Sequence, residues 1–352
     1  MRFTAPVVCL ATIVLALSAC SPPAARKTEL LVLNAGSLVI PFAQVEKEYE
    51  KLHPDVDLRF EGHGSIQVVR HVTEIGDPAD LAVVADHSLL PILMYKAPLP
   101  DGSGTYADWN IQFATNRLGI AFTDKSKYAG EINDKNWYDI LARAEVNLGI
   151  ADPRLDAVGY RSLMLLQFAE FNYQDDSIFE RLITRNFQQP IYSEENGSNF
   201  DITVPELLES TQKRIYLRGF SVQLLSLLES YQIDYCFEYE SVAKQHGLRF
   251  LELPPEVDMS RTEFADLYHR VKVTIDFRRF KTVVPIFYGE PIIYGATIPK
   301  SAPHPQEAIK LLSFLIGPEG QRIMMENYQP PIVPPVSDNA AAVPSQLRDL
   351  LK

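Results

Sequence analysis

One short turn between an apolar run and an amphipathic run constrains the fold of this chain most. The apolar stretch Leu30–Leu33 leads into residues 34–38, which read Asn-Ala-Gly-Ser-Leu, and apolar side chains then recur at helical spacing up to Tyr49. This pattern predicts a strand, a tight turn and a helix. Gly36 suits the turn and Ser37 is a preferred N-cap residue. The unpaired amides of a helix start attract anions, although an ordinary capped helix would give the same pattern.

The same arrangement recurs about thirty residues later. A second predicted strand, Val56–Glu61, leads into residues 62–65, which read Gly-His-Gly-Ser, and another amphipathic helix follows Ser65. Because parallel strands end at the same edge of a sheet, two helix N-termini could face one ligand. The repetition favours a binding site over two unrelated caps.

Two later segments carry further candidate residues. The predicted strand Val146–Ala151 runs into a loop that contains Asp156, which suits an Asx turn or an N-cap, and a helix is predicted over Arg161–Phe171. Ser221 is a third serine at a predicted helix start. The predicted strand Asp234–Tyr239 places Glu238 and Tyr239 at a strand end, where open α/β sheets bind ligands.

Strands that alternate with helices predict an α/β fold, and the length of 352 residues suggests two domains. We predict that Gln112–Thr123 is one long strand that passes from one domain to the other, and that Pro291–Pro299 returns. Residues Tyr173–Arg218 read as polar and rich in loops. The proline-rich tail from Gln329 to Pro344 is expected to wrap the surface.

The N-terminus reads as an export signal. Residues 1–20 hold one arginine and an apolar core too short for the roughly 20 residues that span a bilayer. Their ending, Leu17–Cys20, resembles the lipobox of bacterial lipoproteins, so we expect lipidation of Cys20 and a tether over residues 21–28; a cleaved signal with a coincidental cysteine is the alternative.

Cys236 is the one cysteine beyond the signal, which excludes an internal disulfide. The net charge of −12 argues against nucleic acid and anionic membrane surfaces as partners.

Several motifs together resemble one family, the molybdate/tungstate-binding proteins that serve ABC transporters, and within it the tungstate-binding branch. The matching segments, in the family's order along nearly the whole mature chain, are residues 34–38, 64–65, 76–80 (Gly-Asp-Pro-Ala-Asp), 152–162 and 234–246. The resemblance implies a two-lobed periplasmic-binding-protein fold (Venus flytrap, type II) with a mixed, mostly parallel sheet in each lobe. It places lobe I at 29–114 and 294–352, and lobe II at 115–293.

The resemblance also implies the ligand and the site. The protein would bind molybdate or tungstate outside the cytoplasm with high affinity and deliver it to an ABC permease and its ATPase, as a membrane-anchored monomer without a cofactor. The implied oxyanion-binding residues are Gly36, Ser37, Ser65, Asp156, Ala157, Val158, Ser221 and Tyr239. The sequence departs from the family at Ala157-Val158, where Pro-Cys is usual, and at Ser221, where the tungstate branch carries a glutamate. Asp156 is then the candidate direct ligand of the metal, and Glu238 is a possible extra carboxylate.

Three other functions fit parts of the sequence. The chain could bind sulfate or another oxyanion, or it could be a lipoprotein that senses a ligand without transporting it. An enzyme would need Ser37 or Ser65 as nucleophile and a histidine such as His63 or His71 as base. Because no Gly-x-Ser-x-Gly, His-Glu-x-x-His or phosphate-loop motif is present, we expect no enzyme and no catalytic residue.

Overall fold

The computed structural model describes residues 27–275 and 285–352. The predicted signal segment and Cys20 lie outside these residues. Fifteen strands are described: β1 (Thr28–Ala35), β2 (Val56–His63), β3 (Leu81–Val84), β4 (Ile111–Thr115), β5 (Leu118–Phe122), β6 (Leu148–Ala151), β7 (Ser193–Asn196), β8 (Asn199–Val204), β9 (Ile215–Arg218), β10 (Tyr235–Tyr239), β11 (Arg249–Leu251), β12 (Val271–Ile275), β13 (Ile286–Tyr288), β14 (Ile293–Thr297) and β15 (Pro331–Ser337).

Helices connect most of these strands. They are α1 (Val39–Leu52), α2 (Ser65–Arg70), α3 (Trp137–Leu141), α4 (Ala157–Tyr173), α5 (Ile178–Leu182), α6 (Leu225–Glu229), α7 (Glu240–Gln245), α8 (Pro255–Asp258), α9 (Ala265–Tyr268), α10 (Pro305–Ile316), α11 (Pro318–Glu326) and α12 (Ser345–Arg348). Short 3-10 turns cover Gly36–Leu38, Thr184–Asn186, Ser221–Leu224 and Thr262–Phe264, and π-helical turns cover His71–Ile75 and Leu90–Met94. Within the described ranges, no helix has both the length and the apolar character needed to cross a membrane.

The first sheet has the strand order β15-β4-β14-β3-β1-β2, and we call the part of the chain around it lobe I. Strands β1, β2 and β3 are parallel, so their carboxyl ends lie at one edge. Strands β14, β4 and β15 join them in antiparallel pairings. The tail therefore does more than wrap the surface, because β15 adds an edge strand to the sheet.

Lobe II contains two sheets, with the orders β11-β5-β10-β6-β9 and β13-β12-β8-β7. The prediction of one sheet in this lobe was wrong, and so was the loop-rich description of Tyr173–Arg218, which contains β7, β8 and β9. The alternating polar and apolar residues of β8 pair with β12 and with β7. Helix α4 contacts both sheets and is buried from Ala157 to Glu170, as expected of a helix that is apolar on all sides.

The sheets are mixed, as predicted, but they are not mostly parallel. Of the twelve strand pairings in the described residues, five are parallel and seven antiparallel. The reason is topological. Strands that follow a crossing between lobes, such as β5 and β14, enter their sheet from the opposite edge and run against their neighbours.

The predicted strand Gln112–Thr123 is two strands rather than one. β4 ends at Thr115 in lobe I, and β5 begins at Leu118 in lobe II. Asn116 lies at the break, where its side-chain Oδ1 accepts the N–H of Arg117 over 3.0 Å. This local bond turns the backbone out of the strand ladder. The chain returns to lobe I between β13 and β14.

The two lobes touch through their loops, so the cleft between them is closed. A Cβ atom added to Gly36 would lie 2.9 Å from Cγ2 of Val222 in lobe II. One added to Gly64 would overlap the carbonyl oxygen of Leu155, also in lobe II. These are the glycines that precede the serine in the two copies of the repeated motif, and their missing side chains permit this close approach.

Candidate functional site

The site forms where the carboxyl ends of β1, β2 and β3 face the loops of lobe II. Ser37 lies in the turn after β1, and Ser65 is the first residue of α2. From lobe II, Asp156 precedes α4, Ser221 follows β9, and Tyr239 ends β10. All five side chains are buried. The fold thus places these five residues, which the family resemblance implies as part of the site, at the interface of the lobes.

Ser65 is arranged as a hydrogen-bond donor to the cleft. Its Oγ accepts the main-chain N–H of Ala85, at the end of β3, over 3.0 Å. An Oγ that accepts from a backbone N–H retains its own proton for another partner. The residue is 1% exposed, so a bound ligand is the natural acceptor for that proton.

Ser37 belongs to a chain of hydrogen bonds in lobe I. Its Oγ lies 2.8 Å from Oη of Tyr294 on β14. The same Tyr294 Oη accepts from the side-chain Nδ2 of Asn116 over 3.1 Å. Ser37 therefore lies beside a buried tyrosine that was not among the predicted site residues. Tyr294 lies in the predicted return segment, where no motif marks it.

Asp156 caps helix α4. Its Oδ1 accepts from the N–H of Val158 over 3.4 Å, and its Oδ2 accepts from the N–H of Ser221 over 2.7 Å. Ala157 and Val158 form the buried first turn of the helix. Burial raises the pKa of Asp156 to about 6, against the opposing effect of the amide donors. Both carboxylate oxygens are thus engaged within the protein.

Glu238 is in direct contact with Ser221. Its Oε1 accepts from the Ser221 hydroxyl over 3.1 Å and from the N–H of Tyr239 over 2.8 Å, while its Oε2 is buried without a partner among the described residues. The side chain is 0% exposed, and burial raises its pKa to about 8. Ser221 thus links two carboxyl groups, through its amide to Asp156 and through its hydroxyl to Glu238. At neutral pH Glu238 is largely protonated.

Arg161 is the buried cation of the site, and the sequence analysis did not select it. Its Nη1 donates to Oη of Tyr239 over 2.7 Å and to the carbonyl oxygen of Ala85 over 2.8 Å. Its Nη2 lies 3.1 Å from Oδ2 of Asp86, which also accepts from the Tyr160 hydroxyl over 2.5 Å. Arg161 keeps the pKa of Asp86 below its usual range despite burial. An arginine inside the apolar stretch 157–171 was the available signal, because a lone buried charge needs a partner.

The groups at the cleft are mainly neutral donors. Arg161 is matched by Asp86, so the hydroxyls of Ser37, Ser65 and Tyr239 lie at the lobe interface without net positive charge. In the described part of the chain, no group of three or more His, Cys, Asp or Glu side chains could hold a metal cation. The arrangement can therefore bind an anion through hydrogen bonds at helix starts rather than through ion pairing.

The histidines near Ser65 do not form a nucleophile and base pair with it. The rings of His63 and His71 stack with their centroids 4.3 Å apart, and Nδ1 of His71 lies 2.7 Å from Oδ2 of Asp77. The Ser65 hydroxyl instead contacts the Ala85 amide. Across residues 27–275 and 285–352, neither Ser37 nor Ser65 hydrogen-bonds to a histidine.

Comparison of the sequence with known proteins assigns the chain to a family. The model of the family described as bacterial extracellular solute-binding protein matches residues 30–328. The chain is 39% identical to an uncharacterised solute-binding protein of Methanoculleus marisnigri, over 94% of this chain and 88% of that protein. It is 38% identical to the molybdate/tungstate-binding protein WtpA of Pyrococcus abyssi, over 93% of this chain and 91% of that protein.

A solved structure shares the fold. The periplasmic molybdate-binding protein of Azotobacter vinelandii superimposes with a TM-score of 0.52 and 15% identity, over 87% of this chain and 99% of that one. At this identity the likeness bears on the fold, and it confirms the prediction of a two-lobed periplasmic-binding-protein architecture. The match over residues 30–328 and the identity to the relatives over most of their length assign the family. The chain belongs to the bacterial extracellular solute-binding proteins.

Proposed function

We propose that this protein binds molybdate or tungstate outside the cytoplasm with high affinity and delivers it to an ABC permease and its ATPase. The observation that carries the proposal is the set of buried hydroxyl donors at the lobe interface, in a chain 38% identical to a molybdate/tungstate-binding protein. We assign the ligand to Gly36, Ser37, Ser65, Tyr239 and the segment Asp156–Val158, with Ser221 beside them.

The chemistry of the donors supports a tetrahedral dianion. Hydroxyl and amide donors stabilise the charge of the ligand without an added counter-charge, and the starts of two helices from lobe I face it. An ionised carboxylate beside the dianion would repel it. Protonated Glu238 carries no charge, and the Ser221 N–H donates to Asp156 and offsets part of its negative charge; both effects reduce that repulsion. The proposal needs no cofactor and no catalytic residue.

The cellular setting follows from the N-terminal sequence. We propose that residues 1–20 direct export, that Cys20 carries a lipid anchor, and that residues 21–28 tether a monomer to the membrane. We propose that the chain segments 116–117 and 289–292, which lie one or two residues from the predicted lobe boundaries at 114/115 and 293/294, act as the hinge between the lobes. The Cys20→Ser variant should leave the membrane fraction while the wild type stays in it.

Titration calorimetry of the mature protein with molybdate, tungstate, sulfate and phosphate tests the proposal. We expect binding of molybdate or tungstate at least about a hundredfold tighter than that of sulfate, or about 2.8 kcal/mol. A thousandfold excess of ligand over its Kd should stabilise the folded protein by about 4 kcal/mol. Tighter binding of sulfate would reassign the ligand, and no binding of any oxyanion would reject the proposal.

A further inference from the structure

The hydrogen-bond chain from Asn116 to Ser37 has a direction, and that direction decides whether Ser37 can donate to a ligand. A serine hydroxyl has one proton. If Ser37 donates to Tyr294, its proton points away from the cleft. If Tyr294 donates to Ser37, the Ser37 proton is free for an oxyanion.

The two amide ends of Asn116 are fixed by its surroundings. Its Oδ1 accepts from the main-chain N–H of Arg117 over 3.0 Å and faces the N–H of Ser241 at 3.5 Å. Both of these partners can only donate, so the oxygen must be on that side. Nδ2 is therefore on the other side, 2.8 Å from Ser241 Oγ and 3.1 Å from Tyr294 Oη.

Because Nδ2 can only donate, Tyr294 Oη accepts from Asn116 and its own proton is available to Ser37. Tyr294 is 0% exposed, and burial raises its pKa to about 12, so it keeps that proton at neutral pH. The buried amide of Gln329 lies near the Tyr294 hydroxyl and acts to lower the pKa of Tyr294, but its geometry does not make a hydrogen bond to any of the described residues. The chain thus runs from Asn116 through Tyr294 to Ser37.

We propose that Asn116 is a positioning residue that directs the Ser37 hydroxyl proton toward the bound oxyanion. This inference rests on the proposed function and adds to it a residue that does not touch the ligand. Ser37 and Tyr294 belong to lobe I, and the N–H of Arg117 orients Asn116 within the crossing between the lobes, so the direction of the bonds does not depend on Ser241 of lobe II or on closure of the cleft. The direction of donation is set before the ligand arrives, which removes a cost of ordering on binding.

The Asn116→Asp variant reverses the direction while retaining the shape of the side chain. The new carboxylate still accepts from the two backbone N–H groups, but it now also accepts from Tyr294 and leaves that hydroxyl to accept from Ser37. At pH 8 we expect the affinity for molybdate or tungstate to fall about 10- to 150-fold, the range for a lost hydrogen bond to a charged group. Asn133→Asp is the control, since Oδ1 of Asn133 also accepts a main-chain N–H, from Lys135 over 2.9 Å, but in an exposed turn of lobe II.

A second substitution separates this mechanism from simple repulsion by the new charge. Tyr294→Phe removes the acceptor of the Ser37 proton and so frees that proton for the ligand. Asn116→Asp/Tyr294→Phe should therefore bind at least about fivefold more tightly than Asn116→Asp, whereas Tyr294→Phe alone should bind no more tightly than the wild type. Ser37→Ala should remove most of the effect of Asn116→Asp. If Asn116→Asp/Tyr294→Phe binds as weakly as Asn116→Asp, the effect is one of charge and the inference is wrong, while the proposed function stands.

The ligand-free protein provides an independent measurement. In NMR spectra of tyrosine-labelled protein, the Tyr294 hydroxyl proton should show a nuclear Overhauser effect to the Ser37 β-protons in the wild type. In the Asn116→Asp variant, the effect should instead reach the β-protons of the substituted side chain. A wild-type proton that points toward Asn116 would overturn the inference. Failure of the wild type to bind any of the four oxyanions would reject the proposed function, and with it the role of Asn116 in binding.

Discussion

The guanidinium of Arg161 donates to the hydroxyl oxygen of Tyr239 over 2.7 Å. Because arginine can only donate, the tyrosine proton is left for another acceptor. In the same way, the main-chain N–H of Ala85 donates to Oγ of Ser65, and in the arrangement proposed above the Tyr294 hydroxyl donates to Oγ of Ser37. Three buried hydroxyls are thus each supplied with a donor from within the protein, and each retains a proton for the ligand.

Replacement of Tyr239 or Arg161 tests this arrangement. Tyr239→Phe should weaken oxyanion binding by about 1.5 to 3 kcal/mol, the worth of one hydrogen bond to a charged group. Arg161→Met should cost more, because it also leaves the Asp86 carboxylate without its partner beside a dianion. Addition of Asp86→Asn should then restore part of the loss. Calorimetry that finds no gain from Asp86→Asn would mean that Arg161 does not neutralise Asp86.

How far the sequence could predict this site depends on the kind of residue. Ser65 and Ser221 begin helical segments, Asp156 is an N-cap, and Ser37 lies within the 3-10 turn before α1 rather than at the predicted N-cap. Turn chemistry marks such positions locally. Arg161, Asn116 and Tyr294 act through partners far away in the sequence, such as Asp86 for Arg161. The apolar neighbours of Arg161 indicate a buried charge, but no local pattern identifies these partners. The third sheet escaped prediction for a similar reason, because β8 has its parallel partner β12 in a distant part of the chain.

The serines at the two helix starts can be tested one at a time. Ser37→Ala and Ser65→Ala should each weaken binding by about 1.5 to 3 kcal/mol, since each removes one donor to a charged ligand. Ser103→Ala is the control, because Ser103 is exposed in a loop of lobe I. Unchanged affinity in both site variants would place the ligand elsewhere.

Gly64 should control closure of the cleft. In Gly64→Ala, the new Cβ would overlap the carbonyl oxygen of Leu155 in the closed form, whereas in an open form the lobes are apart. We expect affinity to fall at least about tenfold, or about 1.4 kcal/mol. Small-angle X-ray scattering should show less compaction on addition of ligand. Gly130→Ala is the matched control, because nothing lies within 4 Å of a Cβ built there. Normal compaction of Gly64→Ala would show that the contact is dispensable.

The raised pKa of Glu238 predicts that the stability of the folded protein depends on pH. Its pKa is raised by burial from 4.5 to about 8, so between these values the folded protein binds more protons than the unfolded chain. The free energy of unfolding therefore decreases as pH rises through that window, by at most about 1.4 kcal/mol per pH unit for this group. Asp156, with a pKa raised to about 6, contributes in the same direction at lower pH.

The Glu238→Gln variant isolates this contribution. Glutamine resembles the protonated acid, so urea unfolding between about pH 6 and 8.5 should show a shallower decline in stability than in the wild type. Oxyanion affinity should also fall less with rising pH, because no carboxylate forms at position 238. Exposed Glu195→Gln is the control. Identical pH profiles for wild type and Glu238→Gln would mean that Glu238 does not titrate in this range.

The coordination number of the bound tungsten tests whether the carboxylates of Asp156 and Glu238 reach the metal. Both oxygens of Asp156 already accept main-chain N–H groups, and Oε1 of Glu238 accepts from the Ser221 hydroxyl and the Tyr239 N–H. We therefore expect the tungsten to stay four-coordinate, or at most to become five-coordinate through Asp156. X-ray absorption of the tungstate complex should then show short W–O bonds, with at most one longer oxygen. Two added oxygens would instead mean that Asp156 and a second carboxylate both reach the metal when the ligand binds.

Ser221→Glu supplies a carboxylate at the lobe interface and should raise the coordination number; loss of all binding in this variant would show that its charge repels the dianion.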